Sequence, residues 1–165
     1  MNTLEFAINM ELDGEKYYLK QAEINKDNSL YNVCTSLAND EANHARILRS
    51  KLAGTFFALE DTDTLTKAKS IFRNIGDFKN KIQAIPSQLD FYKMALDKEK
   101  QSIELYDGFL SEAADEYEKA LFEYLVKQEK DHYVTLDELV TLLSHAEEWV
   151  ENADFGLRQE FFREY

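Results

Sequence analysis

A chain of 165 residues with 44% hydrophobic side chains has the size of one domain and can bury a core without disulfide staples. Its formal charge of −13, from 32 acidic and 19 basic residues with no Lys/Arg cluster, argues against nucleic acid as a partner, because such a surface repels a polyanion. The single cysteine, Cys34, excludes an internal disulfide and a CxxC metal knuckle, and with no basic leader and no apolar run near the roughly 20 residues of a membrane span, a soluble cytoplasmic protein is expected.

Five glycines and one proline are too few for a chain of tight β-turns, so the expected class is all-α. Taken in chain order, the first stripe at three-and-four spacing is Leu4, Ala7, Ile8, Glu11, Gly14, Tyr18 and Ala22. A polar break from Asn25 to Ser29 precedes a second, Leu30, Val33, Leu37, Glu41, His44, Leu48 and Leu52, which Gly54 is placed to end. Residues 54–86 read as a long crossover, acidic and threonine-rich from Glu60 to Thr64, with short helical pieces around Ile71, Phe72, Ile75 and Phe78, closed by Pro86. Ser87 is a candidate N-cap for a third stripe through Tyr92, Ala95, Glu99, Ser102, Tyr106, Phe109 and Ala113. After a brief break the fourth runs through Leu121, Leu125, Glu129, His132, Leu136, Val140 and Leu143.

The expected fold is a single ferritin-like four-helix bundle over 1–165: a hairpin at 1–53, the crossover at 54–86, a second hairpin at 87–144 and a short tail at 145–165. That tail is acidic and rich in aromatics, including Trp149 and Tyr165, and is placed to cap the bundle or to meet a second subunit of a homodimer.

The chain also repeats itself. An offset of 88 residues takes Glu11 to Glu99, Tyr18 to Tyr106, Glu41 to Glu129 and His44 to His132, while Ala7, Val33, Leu37 and Leu48 land on Ala95, Leu121, Leu125 and Leu136. Matching apolar residues would be expected of any two packed hairpins. Matching glutamates inside apolar stripes are not, because a buried carboxylate must neutralise or find a cation.

Residues three apart share a helix face, so Glu41 with His44 and Glu129 with His132 can each aim an oxygen and a ring nitrogen at one point. Glu11 and Glu99 complete the ligand set of a di-iron or di-manganese bundle. Four carboxylates and two divalent ions cancel in charge, and a carboxylate and imidazole set without thiolate suits iron or manganese, with zinc as a substitute.

The segments AINMELDGEKYY, NDEANHARIL, ALDKEKQSIELY and KQEKDHYVTL carry a resemblance to the rubrerythrin-type members of the ferritin-like di-iron carboxylate proteins that spans nearly the whole chain. The resemblance implies two iron ions bridged by Glu41 and Glu129, with Glu11 and His44 on one ion and Glu99 and His132 on the other. It also implies reduction of peroxide or O2. The chain departs from the pattern in two places: one cysteine cannot build the paired CxxC motifs of the small iron domain that rubrerythrins add, so electrons must come from an external donor protein, and Ser102 stands where many of them carry a further glutamate.

Bland readings accompany each of these. The Glu-x-x-His pairs could be surface residues of acidic helices, which leaves the 88-residue register and the involvement of two of only three histidines unexplained. Tyr18 and Tyr106, two turns beyond Glu11 and Glu99, are candidates to hydrogen-bond a ligand carboxylate or plain core residues. Gly14, equivalent to Ser102, provides either room beside the metals or close helix packing; His145 reads as a helix-end residue and Cys34 as an inert thiol. Besides the redox enzyme, two other functions are compatible with the sequence: iron storage or sensing without turnover, and a metal-free interaction bundle.

Overall fold

The structure, a computed structural model, describes residues 2–74 and 85–163. Among them there are helices and no strand: α1 Thr3–Ile24, α2 Leu30–Leu52, α3 Thr64–Arg73, α4 Ile85–Ser111 and α5 Glu116–Arg163.

Local signals set the ends. Asn2 caps α1, its Oδ1 accepting from the Leu4 amide at 2.7 Å while the Glu5 side chain accepts from the Asn2 amide at 3.0 Å. Helix α2 stops where Gly54 adopts φ +71°, and the amides of Gly54 and Thr55 return to the carbonyls of Lys51 and Ser50, a closure that favours glycine at the left-handed position. Asp115 opens α5 by accepting from the Glu118 amide at 2.8 Å.

Three expectations need correction. Ser87 is not an N-cap, since α4 already includes Ile85 and Pro86; proline is tolerated in a first turn, where its missing amide has no helical acceptor. The fourth helix does not stop at residue 144: α5 continues to Arg163, so residues from 145 on prolong it rather than forming a separate short tail, and His145 is exposed in mid-helix, not at an end. Nothing between His145 and Asp154 breaks a helix, and the first glycine after Gly108 is Gly156. Ile75 and Phe78 lie outside the described residues, as do the side chains of the aromatic residues from Trp149 on.

Helix α1 pairs with α2, and α4 with α5, as two hairpins packed together. Their apolar faces form two clusters. One gathers the end of α1 with the start of α2, the start of α4 and the later part of α5, around Tyr18, Leu30, Leu37, Tyr92, Leu136 and Leu139. The other gathers the opposite ends, around Ala7, Ile8, Leu48, Tyr106, Leu121 and Leu125. Between these layers lie residues 11, 41, 44, 99, 129 and 132.

The described part of the crossover, residues 54–74, lies on one side of the bundle. Helix α3 packs on α5 and α2, and the strap before it is tied down by Tyr124, which donates to the Glu60 carbonyl at 2.7 Å, and by Tyr117, which accepts from the Phe57 amide at 3.3 Å. Among the described residues, the crossover therefore covers the α2/α5 side.

Candidate metal centre

All six sequence-selected residues converge at mid-bundle and are buried, with Glu129 and His44 at 0% exposure and Glu41 the most exposed at 5%. Two sets of ligand-type atoms each lie within 4.8 Å of one another: Glu11, Glu41, His44 and Glu129 in one, and Glu41, Glu99, Glu129 and His132 in the other. Glu41 and Glu129 belong to both. These are the two residues that the resemblance implies would be shared by two ions, and each set could hold one.

Both imidazoles turn Nδ1 inward. His44 Nδ1 is 3.1 Å from Glu129 and 3.4 Å from Glu11, and His132 Nδ1 is 2.8 Å from Glu41, 3.4 Å from Glu129 and 3.6 Å from Glu99. Glu11 Oε2, Glu41 Oε1, Glu129 Oε2 and His132 Nδ1 are all buried without a hydrogen-bond partner. Orphaned atoms of this kind are costly unless something satisfies them, and here all four belong to the two sets of clustered ligand-type atoms, where cations could satisfy them. The donor set fits iron or manganese, with no thiolate near it.

The metal-free electrostatics describe the same crowding. Burial and the charges of Glu11, Glu129 and Glu99 push the Glu41 carboxyl well above its ordinary range, and burial with Glu11 and Glu99 raises Glu129 to about 8. Burial alone would lower His44, but the negative charge of Glu11 beside it raises it to about 10.

The tyrosines are hydrogen-bonded across the bundle. Tyr18 donates to Glu99 and Tyr106 donates to Glu11, each bond linking the two hairpins. Burial and the neighbouring carboxylates raise both phenols well above 10, so they remain donors.

Four residues escaped the sequence reading. Asp40 Oδ2 accepts from His132 Nε2 at 2.9 Å, while Gln128 Oε1 is 3.3 Å from His44 Nε2. Thr64 and Thr62 donate to Asp40 at 2.6 and 3.2 Å, and Thr62 also reaches Gln128 at 3.4 Å. A signal existed: Asp40 and Gln128 immediately precede the two Glu-x-x-His pairs and are themselves 88 residues apart. The threonines lie in the crossover, which occurs once and so has no counterpart in the repeat.

Gly14 is explained by contact. A Cβ there would stand 3.0 Å from Glu41 Oε2 and 3.3 Å from its Cδ, so the glycine makes room for a shared carboxylate. Gly14 and Ser102 also line a cavity of about 460 Å³ between α1 and α4, walled by Phe6, Met10, Tyr17 and Ala95 and ending on Glu41 and Glu99. Cys34 is fully buried beside the Tyr92 hydroxyl at 3.5 Å, consistent with an inert thiol.

No described helix is long and apolar enough to cross a membrane. No significant match was found among curated proteins or among solved structures. The sequence profile of the rubrerythrin family matches residues 2–140, a span that takes in every residue of the buried cluster. With the repeated ligand set gathered as that family's bundle requires, the chain belongs to the rubrerythrin family of ferritin-like helical proteins.

Proposed function

We propose that the chain is a di-iron oxidoreductase that reduces peroxide or O2 with electrons from a separate donor protein. The observation that carries this reading is access to the cluster: among the described residues, a cavity between α1 and α4 reaches Glu41 and Glu99, while the crossover packs on the opposite α2/α5 side. A site serving only to brace the fold has no need of such access, and a small oxidant does.

Glu11, Glu41, His44, Glu99, Glu129 and His132 would hold the two ions, with Glu41 and Glu129 shared between them. Iron in such a site supplies a pair of electrons to a small oxygen species, so that peroxide, two electrons and two protons give two waters. The chain's own residues set the conditions. Tyr18 and Tyr106 fix the outer carboxylates by donating to them, and the apolar layers on either side exclude water and strengthen the local electrostatics. Ser102 donates to the Lys98 carbonyl at 3.1 Å and leaves the cavity wall without a further carboxylate at that place. One cysteine in the sequence leaves no thiolate iron site to feed electrons inward, which favours an external donor.

The test is anaerobic loading of the metal-free protein with Fe(II), followed by peroxide. Oxidation of about two ferrous ions per peroxide, recovered on adding a reductant, is expected. Protein that binds two ferrous ions and leaves them unoxidised by peroxide would overturn the enzymatic reading in favour of iron storage or sensing.

A further inference from the structure

The two halves of the repeat differ at one pair of positions that touch the histidines. Both imidazoles direct Nδ1 at the cluster and Nε2 away from it, and both Nε2 atoms meet a buried acceptor from the opposite hairpin. For His132 the acceptor is the carboxylate of Asp40 at 2.9 Å; for His44 it is the amide oxygen of Gln128 at 3.3 Å. Asp40 is pinned by two hydroxyls from the crossover, at 2.6 and 3.2 Å, so its short contact is built into the fold.

A carboxylate acceptor does two things an amide does not. It strengthens the hydrogen bond from Nε2, which makes Nδ1 a better donor to a cation, and it adds a full negative charge a few ångströms from that cation in a medium that screens poorly. Each set contributes three carboxylates and one imidazole, so ligand count does not distinguish the two sides, whereas these acceptors do.

We propose that Asp40 and Gln128 make the two metal positions unequal, so that the position of Glu99 and His132 fills first and more tightly while that of Glu11 and His44 binds its ion more weakly. This rests on the di-metal reading above and concerns loading of the site, not the oxidant. Asp40 is here a positioning residue acting through His132, and Gln128 its weaker counterpart acting through His44.

The test is an anaerobic titration of the metal-free protein with Co(II), read both by calorimetry and by the exchangeable, hyperfine-shifted imidazole N–H resonances of the loaded form. Two steps are expected, the first belonging to His132. Asp40→Asn should weaken that first step about 10- to 100-fold, shift the His132 N–H resonance alone, and leave the second step within about threefold. Gln128→Glu should tighten the second step and bring the two together, and it decides the matter if Asp40→Asn fails to fold. Two equal steps in the wild type, an Asp40→Asn variant that weakens both alike, or an unchanged separation in Gln128→Glu would overturn the proposal while leaving two bound ions in place. A wild type that takes up no pair of Co(II) ions would overturn the di-metal reading itself, and this inference with it.

Discussion

Tyr18 donates its phenolic hydrogen to Glu99, on the opposite hairpin, and not to Glu11, which lies two turns before it on the same helix. Tyr106 returns the bond to Glu11, and Asp40 and Gln128 reach across to His132 and His44 in the same way. These four hydrogen bonds, two pairs related by the repeat, each join one hairpin to the other. Each hairpin orients the ligands of its partner, so neither is expected to preserve the site's geometry by itself.

Replacing Tyr18 by Phe removes the donor that holds Glu99 and leaves a buried carboxylate oxygen without its partner. Metal affinity is expected to fall about tenfold or more on the Glu99 side, with the metal-free fold changed by about 1–3 kcal/mol. Metal titration together with chemical denaturation checks both, and Tyr106→Phe should act in the same manner on the Glu11 side.

The shared carboxylates and the outer ones should behave differently. Glu41→Ala or Glu129→Ala removes a ligand from both sets, whereas Glu11→Ala or Glu99→Ala removes a ligand from one. Metal analysis of purified variants is expected to show well under one ion per chain for the first pair and close to one for the second.

Gly14→Ala separates folding from metal binding. Alanine at an interior helical position is favoured over glycine by about 1 kcal/mol, yet the added Cβ would press on Glu41 at 3.0 Å. Thermal melting of the metal-free variant should match or exceed that of the parent, since Glu41 is free to shift when it holds no cation. Its metal affinity should drop. A variant with unchanged affinity would show that the glycine serves helix packing alone.

Metal uptake should release protons and strengthen as pH rises. His44 holds its proton up to about 10, and Glu129 up to about 8, yet both must lose it to bind a cation. The metal-free fold should respond in the opposite sense. The folded-state values of these two groups lie above the ordinary 6.5 and 4.5, so the stability they confer is complete below those values and is lost as pH rises through about 10 and about 8. Glu11 runs the other way: burial opposes its charge, but Glu41 and His44 hold it down at about 2, so its contribution is present above 4.5 and lost as pH falls through about 2. Melting of chelator-treated protein should thus decline from neutral toward alkaline pH, and metal-loaded protein should not. Calorimetry in buffers of different ionisation enthalpy measures the protons released.

Cys34 should resist alkylation in the native state well beyond the ordinary thiol range, because burial raises its thiol to about 11. Mass spectrometry after iodoacetamide treatment at pH 9 is expected to show the modification only when the chain is unfolded.

Much of this was legible in the sequence because helices impose a fixed period. Residues three or four apart must share a face, so Glu41 with His44 and Glu129 with His132 declare themselves as pairs, and a second copy 88 residues on shows that the pattern is kept with its charges. Periodicity says which face is buried, and the cost of burying a carboxylate says that something must answer it. It does not say which partner on another helix a side chain will reach. That Tyr18 crosses to Glu99, that Gly14 makes room for Glu41, and that Thr62 and Thr64 steady Asp40 depend on how the hairpins dock and where the crossover lies. Nor does periodicity mark the end of the fourth helix: a polar, aromatic stretch weakens the apolar stripe without containing anything that breaks a helix, so α5 runs on past His145. Local chemistry in the chain chose the clustered carboxylates and imidazoles; packing between distant segments determined their surroundings.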